Sequence, residues 1–346
     1  MRTLLHLFPT FALGGAQRRF AQVARAAPGW RHVIVPLDGE RGADAALGDA
    51  ARSYEALRLR AARGVSPSNL RALAALYRHV RPDLVATYNW GAIEGVLANR
   101  VGPRLPHLHH EDGFGADEAA GEAPRRRLLR RLALSRGVHV LVPSTGLAER
   151  AGTVWRVPPP RLHFVANGVD LAAFTPGRAG DGPAVFLGAL RPEKNLPRLA
   201  RAMRDAPFPL DIWGEGSVAE TLELPANVTL RGPTDAPPAA LRGARLLALS
   251  SDTEQMPLVV LEAMAAGLPV VATDVGDTKR LVAEANRPFV TPLGDDDAFA
   301  VALRAVGTDD ALAARLGAAN RARAEAEYGL DRMTAAHTDL WNRLAA

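Results

Sequence analysis

Short apolar runs alternate with longer amphipathic segments along most of the chain. In the first half the short runs predict strands at Thr3–Phe8, His32–Pro36, Leu84–Tyr88, His107–His109 and Val138–Val142. The longer segments repeat apolar positions at helical spacing, and they predict helices at Gln17–Ala26, Ser68–His79 and Glu122–Ala133. Such alternation is typical of a parallel sheet with helices on both faces.

A stretch rich in Gly and Pro, residues 167–183, has no periodicity and predicts a linker. Beyond it, strands are predicted at Ala184–Leu187, Pro209–Trp213, Val228–Arg231, Ala244–Leu249 and Pro269–Thr273, and the final segment Tyr328–Ala346 predicts a helix. We therefore expect an α/β protein with Rossmann-like domains at 1–166 and 184–327, a ligand between them and a C-terminal helix at 328–346.

Composition narrows the class of protein. The 346 residues suffice for two domains, and the absence of cysteine excludes disulfides and thiolate metal sites and fits a reducing cytoplasm. No apolar run approaches the ~20 residues that span a bilayer. The N-terminal apolar stretch is interrupted by His6 and Pro9, so it predicts a first strand leading into the glycine loop Gly14–Gly15 rather than a signal peptide.

The formal charge of +5 suits an anionic small substrate or an anionic membrane surface. No helix-turn-helix, zinc-finger or aromatic RNA-platform signature accompanies it, so a nucleic-acid partner is not predicted. Lysine occurs only at Lys194 and Lys279 in an otherwise arginine-based chain, which draws attention to both.

One strand–loop–helix–strand unit, from Ala244 to Thr273, carries most of the candidate chemistry. Pro257 suits the first helical position, the helix is expected to run to about Ala266, and its nearly uniform apolar character predicts burial. Glu262 is its one charged residue, and it either meets solvent or a neighbouring arginine, or accepts hydrogen bonds from ligand hydroxyls.

Glu254 and Glu262, followed by Ala-Met-Ala-Ala-Gly-Leu-Pro-Val-Val-Ala-Thr-Asp, resemble the signature of glycosyltransferase family 4, a retaining family with the GT-B fold of two facing Rossmann-like domains and a C-terminal helix that crosses back. The resemblance implies that Glu254 lies beside the donor sugar and Glu262 on the nucleotide ribose. Backbone N–H groups of the loop and helix start around Gln255–Leu258, from Gln255, Met256 and Leu258 on either side of Pro257, would face the sugar and phosphate. Gln255 replaces the family's usual glycine.

Further positions extend the resemblance. Lys194 matches the lysine that contacts the donor diphosphate, and Arg191 would supply a second cation because Ala189 stands where the family often has arginine; a solvated surface lysine is the alternative. The remaining matches are the glycine loop Gly14 and Gly15 near diphosphate or acceptor, Gly214 in a turn under the nucleotide, Arg231 near the base, and Asn167–Asp170, which would close the first domain.

The polar run His109-His110-Glu111-Asp112 suggests a metal site, but neighbours on a strand point to opposite faces, which leaves too few ligands on one side. The family places a histidine near the donor sugar at this point. His109 matches it best, with Glu111 on the same face; His110 is the rival, and Asp112 has a loop-capping alternative.

The basic amphipathic stretch Arg125–Arg136 predicts either a solvated helix face or a contact with anionic lipid. Together the resemblance implies a retaining glycosyltransferase that moves a sugar from a nucleoside-diphosphate sugar to a glycan, lipid-linked or small-molecule acceptor in bacterial polysaccharide or envelope synthesis. It implies no cofactor beyond the donor and no metal, and a cytoplasmic location, at most peripheral to the inner face of the membrane.

Two other functions remain open: a sugar-nucleotide epimerase of the same fold, and a non-catalytic nucleotide-sugar-binding protein. A dinucleotide-dependent oxidoreductase is disfavoured because no Gly-x-Gly-x-x-Gly follows the first strand.

Overall fold

The chain forms two compact α/β units in a computed structural model that describes residues 1–60, 64–113, 122–177 and 182–346. The first unit comprises residues 1–166 and 331–346, and the second comprises residues 167–330.

The first unit is built on a parallel seven-stranded sheet with the strand order β3-β2-β1-β4-β5-β6-β7. Its strands are β1 (Arg2–Phe8), β2 (Trp30–Pro36), β3 (Arg52–Tyr54), β4 (Leu84–Tyr88), β5 (His107–His110), β6 (His139–Val142) and β7 (Leu162–Phe164). Its first five helices are α1 (Gly15–Ala26), α2 (Pro67–Val80), α3 (Ile93–Val101), α4 (Pro124–Leu134) and α5 (Thr145–Thr153).

The second unit contains a parallel six-stranded sheet with the order β10-β9-β8-β11-β12-β13. Its strands are β8 (Ala184–Leu187), β9 (Leu210–Trp213), β10 (Val228–Gly232), β11 (Leu246–Leu249), β12 (Val270–Thr273) and β13 (Val290–Thr291). Its helices are α6 (Leu196–Met203), α7 (Pro237–Leu241), α8 (Leu258–Ala265), α9 (Thr278–Leu281), α10 (Asp296–Thr308) and α11 (Asp310–Glu327).

The C-terminal helix α12 (Leu330–Leu344) packs on the first unit, as predicted for a helix that crosses back. Trp341 is fully buried there and makes an edge-on contact with Trp30, with 6.0 Å between the ring centroids. Since burial of a tryptophan removes a large apolar area from water, this contact anchors the end of the chain.

The segment 167–183, predicted as a linker, is counted with the second unit, and its positions 178–181 lie outside the described residues. The backbone of Val169 accepts a hydrogen bond from Leu330 and donates one to Tyr328, at 3.0 and 2.9 Å. These bonds join the start of the segment to residues 328–330, at the other end of the second unit's part of the sequence.

The strand order reverses its direction of growth once in each sheet. In the first unit the reversal lies between β1 and β4, and in the second between β8 and β11. In open parallel sheets, ligands bind outside the carboxyl ends of the strands at such a point, because the loops that follow the two strands diverge there. The loops after β8 and β11 are therefore the first place to look for a site.

Candidate functional site

The loops after β8 and β11 meet and are joined through their backbones. The N–H of Asp252 donates to the carbonyl of Glu193 at 2.8 Å, and the Ser250 hydroxyl donates to the carbonyl of Lys194 at 2.8 Å. Asn195 ends the first loop in a left-handed conformation (φ 43°) and caps α6 by accepting from the N–H of Arg198. These bonds fix the backbone from which Lys194 and Glu254 project.

Lys194 and Glu254, which the sequence assigned separately to the donor diphosphate and the donor sugar, form an ion pair at this point. The ammonium of Lys194 donates to Oε1 of Glu254 at 2.5 Å, and the Ser251 hydroxyl donates to the same oxygen at 2.8 Å. The two charged side chains are 20% and 12% exposed. An ammonium has three donors, so two remain for an anionic ligand, and Oε2 of Glu254 has no hydrogen-bond partner in the described part of the chain.

Sequence reasoning did not single out Ser251 or Thr273. Ser251 bonds Glu254 directly, and Thr273 bonds Ser251. Ser251 is fully buried, and its carbonyl accepts a 2.5 Å hydrogen bond from the Thr273 hydroxyl at the end of β12. Ser251 therefore connects the end of β11 to Glu254, because its hydroxyl bonds the Glu254 carboxylate and its carbonyl bonds Thr273. The spacing of a serine three residues before the glutamate was the available signal.

Helix α8 differs from its prediction in two ways. Pro257 precedes the helix as its N-cap in an extended conformation, so Leu258 is the first helical residue. The helix is also not buried on all sides, because Leu258, Val259 and Glu262 are partly exposed. Leu258 and Glu262 are four residues apart and share one face of the helix, so Glu262 lies on a partly exposed face of α8.

Asn167, which was expected to close the first domain, bonds a residue of the loop that carries Glu254. Its side-chain amide donates to the carbonyl of Met256 at 3.1 Å, and its backbone N–H contacts the Met256 sulfur at 3.1 Å. Met256 is buried by these contacts. Of the predicted donor-binding segment Gln255–Leu258, Met256 therefore has a packing role, while Gln255 stays partly exposed.

Two glycines allow the loops of this site to approach each other. At Gly276 (φ 57°) a Cβ would lie 2.4 Å from the carbonyl oxygen of Glu254, and at Gly214 (φ 148°) a Cβ would lie 1.9 Å from that of Gly188. Both distances are far inside van der Waals contact, so a side chain at either position would force the loops apart. The next residue, Asp277, donates its N–H to the carbonyl of Gln255 at 2.8 Å.

The structure does not bring all predicted site residues into contact. Arg191 is exposed at the start of the turn that ends in Lys194, and its side chain makes no hydrogen bond or ion pair with another residue that the structure describes. Arg231 lies on the edge strand β10, where it pairs with Asp211 at 3.0 Å and is 48% exposed. The roles predicted for these two arginines stay predictions.

In the first unit, the predicted glycine loop follows β1 at the point of sheet reversal. Gly14 is the extended N-cap of α1 and Gly15 is its first residue. Arg19 of the same helix is buried and forms an ion pair with Asp112, which follows β5. Asp112 thus binds the neighbouring helix rather than capping its own loop, the alternative that the sequence left open.

Asn89, which follows β4, holds the ends of β4 and β5 together. Its N–H donates to the carbonyl of His110 at 2.7 Å, and its side-chain oxygen accepts from the N–H of Asp112 at the same distance. Its φ of 55° is rare for a residue other than glycine and costs about 1–3 kcal/mol. Strained residues of this kind are concentrated at functional sites, and sequence reasoning passed over Asn89.

His109 and Glu111 share one face of the first sheet, as predicted. Nε2 of His109 lies 3.5 Å from Oε2 of Glu111, and both side chains are fully buried. His110 points to the other face, where its ring stacks on Tyr88 at 4.5 Å between centroids. The two histidines therefore lie in different environments, and only His109 has a carboxylate beside it.

Glu111 belongs to a buried ion cluster that continues into α4. Arg130 donates to Glu111 at 3.2 Å and to Glu122 at 2.8 Å, and Glu122 also accepts from Arg150 and from the indole N–H of Trp155. The Arg130 and Arg150 contacts and the Trp155 bond lower the pKa of Glu122 against the raising effect of burial. Each buried carboxylate in the cluster is compensated by guanidinium contacts.

Two family profiles together match most of the chain. The profile described as "Glycosyltransferase Family 4" matches residues 13–173, and the profile described as "Glycosyl transferases group 1" matches residues 177–323. The D-inositol 3-phosphate glycosyltransferase of Xylanimonas cellulosilytica is 30% identical over 298 residues, which cover 75% of this chain and 71% of that relative. The chain belongs to glycosyltransferase family 4.

Other relatives match over a shorter length. The D-inositol 3-phosphate glycosyltransferase of Jonesia denitrificans is 32% identical, over 61% of this chain and 60% of the relative. The GDP-mannose-dependent alpha-mannosyltransferase of Mycolicibacterium smegmatis is 33% identical, over 50% of this chain and 48% of the relative. The family 4 chain thus spans less than two thirds of the length of these two proteins.

Solved structures share the fold of the family 4 chain. The sucrose-phosphate synthase of Thermosynechococcus elongatus superposes with a TM-score of 0.81 at 20% identity and covers 99% of each chain. The Anabaena protein HepE, solved in complex with UDP, gives a TM-score of 0.82 at 17% identity and covers 99% of this chain and 100% of its own. At this level of identity the likeness shows the fold, which is GT-B.

Helix α4 of the family 4 chain has a second face that the ion cluster does not use. Leu128 and Leu132 are 58% and 54% exposed, and the neighbouring Arg127 and Arg131 are also exposed. The helix contains no acidic residue. None of the helices in the described ranges is long and apolar enough to cross a bilayer.

Proposed function

We propose that the chain is a retaining glycosyltransferase that takes a sugar from a nucleoside-diphosphate sugar and transfers it to a glycan, lipid-linked or small-molecule acceptor in bacterial polysaccharide or envelope synthesis. The observation that carries the proposal is the Lys194–Glu254 pair at the carboxyl ends of β8 and β11. Its support is that both residues match the family motif and lie where an open parallel sheet binds its ligand.

In this proposal Lys194 acts on the leaving group. As the bond between the sugar and the diphosphate breaks, negative charge grows on the diphosphate, and the two remaining N–H donors of Lys194 stabilise it. Arg191 is exposed three residues earlier and adds a second cation from the same loop. Since these cations supply the charge compensation, we propose that transfer needs no divalent metal and survives in EDTA.

Carboxylates then hold the donor. Oε2 of Glu254 accepts a sugar hydroxyl, and Glu262 accepts the ribose hydroxyls from the partly open face of α8. His109 of the first unit is assigned to the donor sugar on the resemblance. The partial exposure of Glu262 is compatible with hydrogen bonds from ligand hydroxyls.

A ligand screen tests the proposal. Thermal unfolding of the full chain is followed with UDP-, GDP- and ADP-sugars and with the free diphosphates. We expect one base to raise the Tm, and Lys194→Ala to abolish the rise while the unliganded protein still unfolds cooperatively. No shift with any nucleotide would contradict donor binding.

Turnover separates the proposal from its rivals. With donor and an acceptor mixture, we expect a product whose anomeric configuration, measured by proton NMR, matches that of the donor. An epimerase would instead convert the nucleotide sugar without any acceptor. A non-catalytic binding protein would shift the Tm but release no nucleoside diphosphate.

We further propose that α4 places the protein on an anionic membrane surface, where a lipid-linked acceptor would lie. The support is the exposed pair Leu128 and Leu132 beside Arg127 and Arg131 on a helix without acidic residues. Apolar side chains enter the interface, and arginines bind acidic headgroups, which together give reversible binding.

Vesicle co-sedimentation tests this surface. We expect binding to vesicles with phosphatidylglycerol at moderate salt and little binding to neutral vesicles. Leu128→Ser with Leu132→Ser, and separately Arg127→Glu with Arg131→Glu, should each reduce the bound fraction severalfold. The matched control is Arg71→Glu with Arg78→Glu, a reversal of two exposed arginines on α2. Equal loss in the control would show bulk charge attraction and contradict a specific α4 surface.

A further inference from the structure

A continuous chain of hydrogen bonds runs through the core of the first unit from α3 to the end of β5. The Asn99 amide lies 3.1 Å from Nδ1 of His107, and Nε2 of His107 lies 3.0 Å from the Thr87 hydroxyl. The same hydroxyl lies 2.8 Å from Nδ1 of His109, whose Nε2 faces Glu111 at 3.5 Å. All five side chains are buried, so water does not compete as a partner for these hydrogen bonds.

Asn99 determines which atoms donate and which accept along this chain of hydrogen bonds. Its Oδ1 accepts the N–H of Leu105 at 2.9 Å, and its Nδ2 donates to the carbonyl of the same residue at 2.8 Å. If the amide were flipped, Oδ1 would face the carbonyl oxygen of Leu105, and Nδ2 would face the N–H of Leu105. Both contacts would be repulsive, so this pair of bonds determines which atom of Asn99 is the nitrogen. The second proton of Nδ2 therefore points at His107.

His107 passes this polarity on. Its Nδ1 must accept from Asn99, and burial followed by the nearby His109 lowers its pKa to about 3, so the ring is neutral. A neutral imidazole that accepts at Nδ1 carries its proton on Nε2. That N–H donates to the Thr87 hydroxyl.

Thr87 is the relay point, because a hydroxyl has a single proton. Its oxygen accepts from His107, and the other bond that the hydroxyl makes in the described part of the chain is to Nδ1 of His109. If Nδ1 of His109 carried a proton, two N–H groups would converge on the oxygen and its own proton would be buried without a partner. That arrangement would cost a full desolvation penalty.

We propose that Thr87 is a positioning residue that holds His109 as the neutral tautomer with its proton on Nε2, directed at Glu111. The role of this tautomer in sugar transfer rests on the proposed function. In that setting the N–H of His109 is directed at Glu111 and the Nδ1 lone pair accepts from Thr87, so neither ring nitrogen is available to act as a base.

The carboxylate at the end of the chain completes the arrangement. Oε2 of Glu111 is shared by Arg130 at 3.2 Å and His109, while Oε1 is buried and has no hydrogen-bond partner in the parts of the chain that the structure describes. The oxygen that faces His109 also accepts from the Arg130 guanidinium, and a carboxylate oxygen beside Nε2 favours a proton on that nitrogen. Asn99 at one end of the hydrogen-bond chain and Glu111 at the other therefore favour the same tautomer of His109.

Histidine-selective ¹⁵N NMR of the full chain tests the tautomer without any substrate. In the wild-type protein we expect His109, assigned by His109→Gln, to show a protonated Nε2 and an unprotonated, hydrogen-bonded Nδ1. Thr87→Val keeps the shape of the side chain but removes the hydroxyl, so Nδ1 loses its donor and the tautomers should mix. Thr87→Ser restores the hydroxyl and should restore the wild-type pattern.

Several outcomes would overturn the proposal: a protonated Nδ1 in the wild-type protein, an unchanged tautomer in Thr87→Val, or no rescue by serine. The pair His139 and His163, bonded to each other at 2.9 Å on β6 and β7, is an internal control whose signals should not move. If Thr87→Val does not fold, the wild-type and Thr87→Ser spectra still decide the tautomer.

Kinetics then ask whether the tautomer matters. We expect Thr87→Val to lower kcat about tenfold, with KM for the donor changed less, and Thr87→Ser to recover most of it. A merely structural threonine would lower the Tm without a tautomer change. Because the NMR result needs no turnover, failure of the transferase proposal would leave it standing, and a failed relay would leave the transferase proposal untouched.

Discussion

Lys194 and Glu254 lie sixty residues apart in the sequence, yet the ammonium and the carboxylate are joined by a 2.5 Å hydrogen bond. The bond connects the loops that follow the two strands at which the second sheet reverses its order. Each charge neutralises the other in a place that is mostly removed from water, and each retains unused hydrogen-bonding capacity. A site of this kind is preorganised, because neither side chain has to search for its position when a ligand arrives.

The first prediction separates the structural from the ligand-binding part of this pair. Lys194→Ala leaves a mostly buried carboxylate with the Ser251 hydroxyl alone, so we expect the free energy of unfolding to fall by about 1–2 kcal/mol. Glu254→Gln keeps a neutral acceptor and should cost less. Urea unfolding at pH 7 measures both.

The double variant Lys194→Ala with Glu254→Gln completes a cycle. We expect its loss of stability to be smaller than the sum of the single losses, because no charge is then left unpaired. Strict additivity would mean that the two groups do not interact in solution. Donor affinity should nevertheless be lost in the double variant, because the phosphate cation is gone.

The second prediction concerns Gly276, whose close approach to the Glu254 carbonyl shapes the loop. Gly276→Ala should lower stability by about 2 kcal/mol or more and abolish the donor-induced Tm shift, since the loop carrying Glu254 must move. Gly294→Ala is the matched control, because Gly294 also has a positive φ (91°) but open space around its Cβ position. Equal effects in both variants would assign the loss to backbone conformation instead of collision.

Apolar periodicity predicted the central strands well, because buried parallel strands read as short continuous apolar runs. β4 (Leu84–Tyr88) and β8 (Ala184–Leu187) have the bounds that the sequence predicted, and β5 is one residue longer than predicted. The strands β3, β7 and β13 were not predicted. They are two or three residues long and lie at sheet edges, where tertiary pairing rather than local pattern decides the conformation.

Likewise, one part of the candidate site could be predicted from the sequence and another part could not. Lys194 and Glu254 could be predicted because a motif assigns both, but their direct bond depends on how two loops meet. The partners of Glu111 could not be predicted, since Arg130 looks like one of several arginines on a basic helix. Its inward direction follows from the helical phase that α3 and the sheet impose on α4.

The third prediction follows from five of the histidines buried in the first unit. Burial lowers the pKa of each of them: to about 4 for His32, to about 3 for His107 and His337, and well below 6.5 for His6 and His110. Above about pH 6.5 both folded and unfolded chains are neutral at these positions, so stability is complete there. Below that pH these histidines become protonated in the unfolded chain but stay neutral in the folded chain. The free energy of unfolding therefore falls as the pH is lowered.

The expected size is up to about 1.4 kcal/mol per pH unit for each such histidine between roughly pH 6 and pH 4.5. Urea unfolding at half-unit pH steps measures the slope. His337→Met should reduce the acid slope by one histidine's share, whereas replacement of the exposed His79 by Gln should leave it as it is. A slope that His337→Met does not change would show that this histidine is protonated equally in both states.

The last prediction concerns Arg130, which is fully buried between Glu111 and Glu122. Arg130→Met keeps much of the volume, but it removes the guanidinium contacts with the Trp90 and Trp155 rings and leaves two buried carboxylates short of their cation. We expect a loss of about 3–5 kcal/mol in the free energy of unfolding, the usual result of breaking a buried pair from one side.

Removing the charges together should reverse much of that loss. We expect Arg130→Met with Glu111→Gln and Glu122→Gln to be more stable than Arg130→Met alone, because the neutral amides have a smaller desolvation cost. Arg125→Met, on the exposed side of the same helix, should change stability by less than about 0.5 kcal/mol. If the triple variant is no more stable than Arg130→Met, the arginine acts through packing and not through charge. Its link to Glu111 would then be incidental.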